Sequence, residues 1–174
     1  MTTAQAIAVL VGVTAVALIA MRVGWLRRAA RTGALVPGLP TVPGAEELGP
    51  PAVADVAVTY VSTTLARRWL EPVAAHGLGA RSAALVSVHP EGAVITRRGA
   101  PDIFLAAEGL RGVWLADGIA GKVVGGRRIV VIGWRHGSMN LDTGLLPRRA
   151  SDRERLVAAL TALSPTAARP EETK

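Results

Sequence analysis

The N-terminus carries the longest uncharged apolar stretch of the chain. Residues 1–21 contain no charged side chain, and Ala4–Met21 is interrupted only by one Gln, one Gly and one Thr. As an α-helix these eighteen residues would be about 27 Å long, close to the thickness of a bilayer's hydrocarbon core. Val23–Leu26 extends the span across Arg22, whose side chain can reach the membrane interface. The sequence therefore predicts one transmembrane helix.

The early basic residues all lie on the C-terminal side of that stretch. A cleaved secretory signal would need them before it, followed by a cleavage site of small residues, and the chain has neither. The positive-inside rule then predicts a single-pass protein with its N-terminus outside and its C-terminal domain in the cytoplasm. We assign residues 1–31 to this anchor. The predicted interfacial residues are Arg22, Trp25, Arg27, Arg28 and Arg31.

Residues 32–51 differ sharply in composition from the anchor. They contain five prolines and no periodic apolar face, which predicts a semi-extended Pro/Gly linker that holds the following domain near the membrane. We expect a folded domain over residues 52–164 and a disordered tail over residues 165–174.

Composition narrows the chemistry. The chain has no cysteine, which excludes disulfides, thiolate metal sites and a cysteine nucleophile. Its formal net charge of +7 favours anionic partners, although a solvated basic surface is the alternative interpretation. With only one Tyr, one Phe and four Trp available for stacking on bases, nucleic acid is an unlikely partner.

The domain has the pattern of antiparallel β structure. Short runs of Val, Ile, Thr, Tyr and Trp alternate and are separated by Gly, Pro or Asp. Between the first two strands, residues 65–79 break the alternation, which predicts a short helix with Leu65, Trp69 and Leu70 facing inward. The seven predicted strands are Val56–Thr64, Ser82–Pro90, Gly92–Arg98, Asp102–Ala106, Leu110–Ala116, Arg127–His136 and Ser138–Gly144.

The domain is predicted to end in an amphipathic helix. Ser151 and Glu154 fit a capping box at its start, and Pro165 prevents its continuation. Its apolar stripe is formed by Leu156, Leu160 and Leu163. Seven strands followed by one capping helix is the order of a pleckstrin homology-like (PH-like) barrel or sandwich, a mainly β fold of two orthogonal sheets. Another small barrel or sandwich would also fit.

Longer stretches of the sequence support the PH-like interpretation. They are "HGLGARSAALVSVHPEGAVITRRGAPDIFLAAEGLRGVWLADGIAGKVV", "WRHG", "LDTGLLPR" and "DRERLVAAL". Over residues 76–163, together with the single N-terminal helix, the chain resembles the membrane-anchored PH-like proteins of high-GC Gram-positive bacteria. Members of that group are often described as membrane or export proteins or transporters. The resemblance implies the fold and a location at the bacterial plasma membrane, but no activity.

The segment "GIAGKVVGG", residues 118–126, superficially suggests a phosphate-binding loop. Such a loop needs a glycine five residues before Gly121, a Ser or Thr after Lys122 and a following helix. Ala116 and Val123 occupy those two positions, and a strand-like run follows. We interpret the segment as a connection between strands.

Other candidate chemistry is weak. The three histidines are too scattered for metal ligation, and each lies next to Gly or Pro in a predicted turn. Ser138 lacks the strained elbow of a hydrolase nucleophile, so we expect it in a hairpin. The acids Asp102, Glu108, Asp117 and Asp142 are isolated. We predict no catalytic, cofactor-binding or metal-binding residues, and hence no enzyme.

Two functions from different classes remain. The first is a non-catalytic adaptor whose domain binds a protein or an anionic lipid at the cytoplasmic membrane face. The second is an accessory subunit of a transport or biosynthetic complex, docked through its small-residue helix. For the first, we expect Arg97, Arg98, Arg127 and Arg128 to include residues of the membrane-facing or partner-facing edge, so that changing them to Gln leaves the fold intact; scattered solvated charges are the alternative interpretation.

Overall fold

The computed structural model describes residues 2–66 and 68–164. Helix α1 spans Thr3–Leu35. Within it, Thr3–Gly24 is long and apolar enough to cross a membrane, by length and composition, and it is not buried against the rest of the protein. The predicted disordered tail, residues 165–174, lies outside the described residues.

An antiparallel barrel forms the domain, and it contains all seven predicted strands in the order β5-β4-β3-β1-β10-β9-β6. Three further short strands occur: β2 pairs with β1, and β7 forms a separate hairpin with β8. The strands are β1 (Val53–Leu65), β2 (Arg68–Pro72), β3 (Ser82–His89), β4 (Gly92–Arg97), β5 (Ile103–Ala106), β6 (Leu110–Ala116), β7 (Gly118–Ile119), β8 (Lys122–Val123), β9 (Ile129–His136) and β10 (Met139–Pro147).

Strand β1 connects the two halves of the barrel. It pairs with β3 from Val53 to Tyr60, with β10 from Val58 to Leu65 and with β2 near its end. The β10 pairing shifts register between Tyr60 and Ser62, which leaves Val61 as a bulge. Because a bulge increases local bend and twist, it helps the sheet to curve at β1.

The predicted helix over residues 65–79 is wrong. The segment instead forms β2 and a 3₁₀ turn, Ala75–Gly77. Leu65 pairs with Arg68 but Thr64 pairs with Pro72, so the three intervening residues loop out of the ladder. Trp69 and Leu70 are therefore 53% and 59% exposed rather than buried. Pairing with the free edge of β1 overrides the local pattern.

The final helix was correctly predicted, except for its cap. Helix α3 spans Ala150–Leu163, with Leu156 and Leu160 fully buried against the barrel. Its N-cap is Arg149, which makes no side-chain capping hydrogen bond, so Ser151 lies inside the helix and the capping box is absent. The helix starts three residues after β10 ends at Pro147, so Ser151 is its second residue and cannot cap it.

A chain of hydrogen bonds crosses the core. Trp134 Nε1 donates to Thr143 Oγ1, which is 2.7 Å from Thr63 Oγ1, itself 2.7 Å from the Tyr60 hydroxyl. Tyr60 donates to the Leu78 carbonyl. Because an indole N–H only donates and a carbonyl only accepts, the two ends fix the direction of every bond between them. The chain links β9, β10 and β1 to the segment after the 3₁₀ turn.

Most of the segment predicted as a semi-extended linker lies against the barrel. We call residues 36–49 the strap. It includes a short helix, α2 (Ala45–Leu48). Val36 is buried in the main core, and Leu48 packs against Val94 and Phe104 on the outer face of β4 and β5. The strap therefore covers part of the sheet instead of spacing the domain from α1.

Candidate interaction surface

The strap begins at the end of the barrel where α1 terminates, and two histidines hold it there. His76 Nε2, in the 3₁₀ turn, lies 3.0 Å from the Val36 carbonyl. His136 Nε2 lies 3.2 Å and 2.9 Å from the carbonyls of Pro37 and Gly38. We call this end, formed by the 3₁₀ turn and the β9–β10 turn, the anchor end.

The third histidine holds the other end of the strap. His89 Nδ1, beside the β3–β4 turn, lies 2.8 Å from the Gly49 carbonyl. Since a carbonyl can only accept, His76 and His136 carry a proton on Nε2, and His89 carries one on Nδ1. The sequence correctly placed the histidines in or beside turns, but their shared role in holding the strap was not visible in it.

Arg97, predicted to be a surface contact, is buried and only 4% exposed. Its Nε donates to the Pro101 carbonyl at 2.7 Å and its Nη1 to the Gly77 carbonyl at 2.8 Å. The guanidinium lies 4.7 Å from the centroid of the Tyr60 ring. Burial lowers the pKa of Arg97 and raises that of Tyr60 to about 12. Arg97 therefore holds the β4–β5 turn to the 3₁₀ turn.

The other three predicted arginines are exposed but lie apart. Arg98 follows β4, next to the turn whose Pro101 approaches Gly77 at the anchor end. Arg127 and Arg128 precede β9, at the opposite end of that strand from His136. Strands β3, β1 and β10 separate β4 from β9 in the sheet. The four arginines therefore do not form one edge.

The predicted interfacial residues all fall within α1. Arg22 is exposed. The side chains of Trp25, Arg27, Arg28 and Arg31 lie outside the described part of the structure.

The glycine-rich segment forms the β7–β8 hairpin. Ala120 and Gly121 both have positive φ, as a two-residue type I′ turn requires. Ile119 is buried in a small cluster on the outer face of the barrel. Lys122 Nζ donates to the carbonyl of the bulge residue Val61 at 3.2 Å. The segment is thus a strand connection, as predicted, and its lysine contacts the barrel backbone.

A shallow polar pocket of about 550 Å³ lies beside the β9–β10 turn. Its charged lining comprises Glu108, Arg111 and Arg135, and its neutral polar lining includes Ser138, in the turn, and Asn140. None of the three charged side chains has an ion-pair partner among the described residues. The pocket could accept a polar group of either sign.

Asp142 lies near Arg111, on the strand that leads away from this pocket. Desolvation raises its pKa to about 6, although Arg111 opposes the shift. Among residues 2–66 and 68–164, no group of acidic or histidine side chains could hold a metal ion.

The comparison with protein families agrees with the geometry. The family described as "Bacterial PH domain-like" matches residues 36–161, more than half of the chain. The protein belongs to the bacterial PH domain-like family, as the sequence resemblance predicted. The match begins at Val36, where the strap begins, and therefore includes the strap. No curated protein matches the chain.

Proposed function

We propose that this protein is a single-pass, membrane-anchored binding module without catalytic activity, with its PH-like domain at the cytoplasmic face of the bacterial plasma membrane. The observation that carries the proposal is the attachment of the strap to the barrel. Val36, the first residue after α1, is buried, and the next two carbonyls accept hydrogen bonds from His136. The domain is thus held next to its helix, and we propose that it begins at Val36 rather than at residue 52.

This attachment gives the domain a preferred orientation at the membrane. A flexible linker would let every face of the barrel meet the bilayer, whereas a buried strap keeps the anchor end nearest to it. Taking the span as far as Leu26, the nine helical residues 27–35 separate it from Val36, a rise of about 15 Å. The anchor end would then lie close to the headgroup layer.

In this proposal the exposed arginines face different partners, according to their distance from the membrane. Arg98, at the anchor end, faces anionic lipid, where each cation near the surface contributes about 1 kcal/mol. Arg127 and Arg128 lie near the start of β9, about 25 Å of strand from His136, and face the cytoplasm and a protein partner. Arg97 has no part in binding.

The membrane topology can be tested with a reporter fused after Lys174 that is active only outside the cytoplasm. We expect no reporter activity, while fusion before Met1 gives activity. An active C-terminal fusion would refute the cytoplasmic location. Recovery of the protein in the soluble fraction after lysis would refute membrane anchoring itself.

The alternative is an accessory subunit that docks on a membrane complex through α1. Gly12 lies on this helix with open space around it, so a second helix could approach closely there. Replacing residues 3–24 with an unrelated transmembrane helix discriminates the two functions. Partners recovered by affinity purification should persist if the domain is the binding module and disappear if α1 is the docking surface.

A further inference from the structure

We infer that the loop at Trp69 and Leu70, supported by the tip of the β7–β8 hairpin, is a lipid-contacting patch that inserts into the membrane interface. We call these two residues the apolar patch. The inference deepens the proposed function and rests on it, because a membrane must lie next to the anchor end for the patch to reach it.

The first argument is exposure. Trp69 and Leu70 are 53% and 59% exposed, and no described part of the chain covers them. Leaving a Trp and a Leu side by side in water is unfavourable unless another surface covers them. The residues between Arg68 and Pro72 have no partners on β1, so this loop projects from the sheet.

The second argument is that the patch is supported as a unit. The Ala120 amide, at the tip of the β7–β8 hairpin, donates to the Trp69 carbonyl at 2.7 Å. Leu70 Cδ2 lies 4.0 Å from the position of a Cβ on Gly121. The hairpin is fixed in turn by the buried Ile119 and by the bond from Lys122 to Val61. The β7–β8 hairpin therefore supports the loop that carries the apolar patch.

The third argument is position. The Ala66 amide, in the β1–β2 turn, donates to the carbonyl of Asn140, just after the β9–β10 turn. Strand β2 leads within three residues into the 3₁₀ turn that holds Val36. The loop thus belongs to the anchor end, the end that the strap keeps near the bilayer.

The fourth argument is chemistry. Trp combines a large apolar ring with an N–H donor, and it concentrates at membrane interfaces for that reason. The patch is bordered by Arg68, whose side chain is 65% exposed, and by Lys122, which is also exposed. A margin of cations around apolar side chains matches an anionic bilayer, and Arg68 is only partly neutralised by its exposed ion pair with Glu71.

The absence of cysteine makes a direct test possible. A single cysteine is introduced in the full-length protein as Leu70→Cys, with Leu85→Cys as the matched control. Leu85 is a 43% exposed apolar residue on β3, outside the apolar patch. Val16→Cys, within the span, is the positive control. Each variant is labelled with an environment-sensitive fluorophore and reconstituted into vesicles of phosphatidylglycerol and phosphatidylcholine.

We expect the label at position 70 to be quenched several-fold more by spin-labelled lipid than the label at 85, and to emit at shorter wavelength. Equal quenching at 70 and 85 would overturn the inference. So would a label at 70 that is shielded from a water-soluble quencher but not quenched by lipid, because a protein would then cover the patch. Flotation of the same samples tests anchoring separately. Protein that floats without lipid quenching at 70 refutes only the lipid contact, whereas protein that fails to float refutes the proposed function.

Discussion

The substitution Arg97→Gln tests the role of the buried guanidinium. Gln is shorter and neutral, so the carbonyls of Pro101 and Gly77 lose donors at 2.7 and 2.8 Å, and the Tyr60 ring loses a cation 4.7 Å from its centroid. Hydrogen bonds from a charged group contribute about 1.5–3 kcal/mol each, and a desolvated cation–π contact about 2 kcal/mol.

The desolvation of the guanidinium opposes these contributions. Because burial lowers the pKa of Arg97, the interior disfavours the charged form, and the substitution recovers that cost. We therefore expect a net loss of about 3–4 kcal/mol in the free energy of unfolding, near the range seen when one partner of a buried charged group is removed. For a domain of this size the melting temperature should fall by about 10 °C.

The assay is tryptophan fluorescence during thermal and urea unfolding of the full-length protein in detergent. Arg98→Gln is the matched control, because Arg98 is the adjacent residue and is exposed. We expect Arg98→Gln to change stability by less than about 0.5 kcal/mol. If the two variants unfold alike, or if Arg97→Gln costs less than about 1 kcal/mol, the guanidinium does not hold the two turns together.

Four further predictions concern single side chains. His136→Ala should accelerate amide hydrogen exchange across the strap and cost about 1–2 kcal/mol; unchanged exchange would contradict the role of His136 in holding the strap. Because the pKa of Asp142 rises from its ordinary 3.8 to about 6 in the folded state, wild-type stability should fall as pH rises between these values. Asp142→Asn should therefore be more stable than wild type by about 1–2 kcal/mol at pH 7 but not at pH 4, and a pH-independent difference would refute the shift. Leu160→Ala should cost about 2–5 kcal/mol in urea unfolding, and the half-buried Leu163→Ala clearly less; equal costs would argue against α3 as the closure of the barrel. Lys122→Ala should lower the free energy of unfolding by at most about 1 kcal/mol. Isothermal titration should detect no magnesium-dependent ATP binding to the wild type or to this variant.

The sequence determined the elements whose signals are local. Alternating apolar and polar residues show which side chains of a strand face the core, so all seven main strands were predicted. The helical spacing of Leu156 and Leu160 predicted α3 in the same way. The N-terminal helix was also predicted from the sequence, because its signal is a continuous run of apolar residues. The local signal failed at residues 65–79, where pairing with β1 decided the structure.

Only the tertiary structure decided which polar residues are buried. The adjacent residues Arg97 and Arg98 have opposite environments. Arg97 is buried and donates to the carbonyl of Gly77, twenty residues away, whereas Arg98 is exposed. The histidines bond strap carbonyls 40 and 98 residues away. The composition of the proline-rich strap likewise predicts a linker, because the barrel surface that buries Val36 forms only when the chain folds. These contacts join residues that come together only in the folded chain. They therefore cannot be predicted from local periodicity.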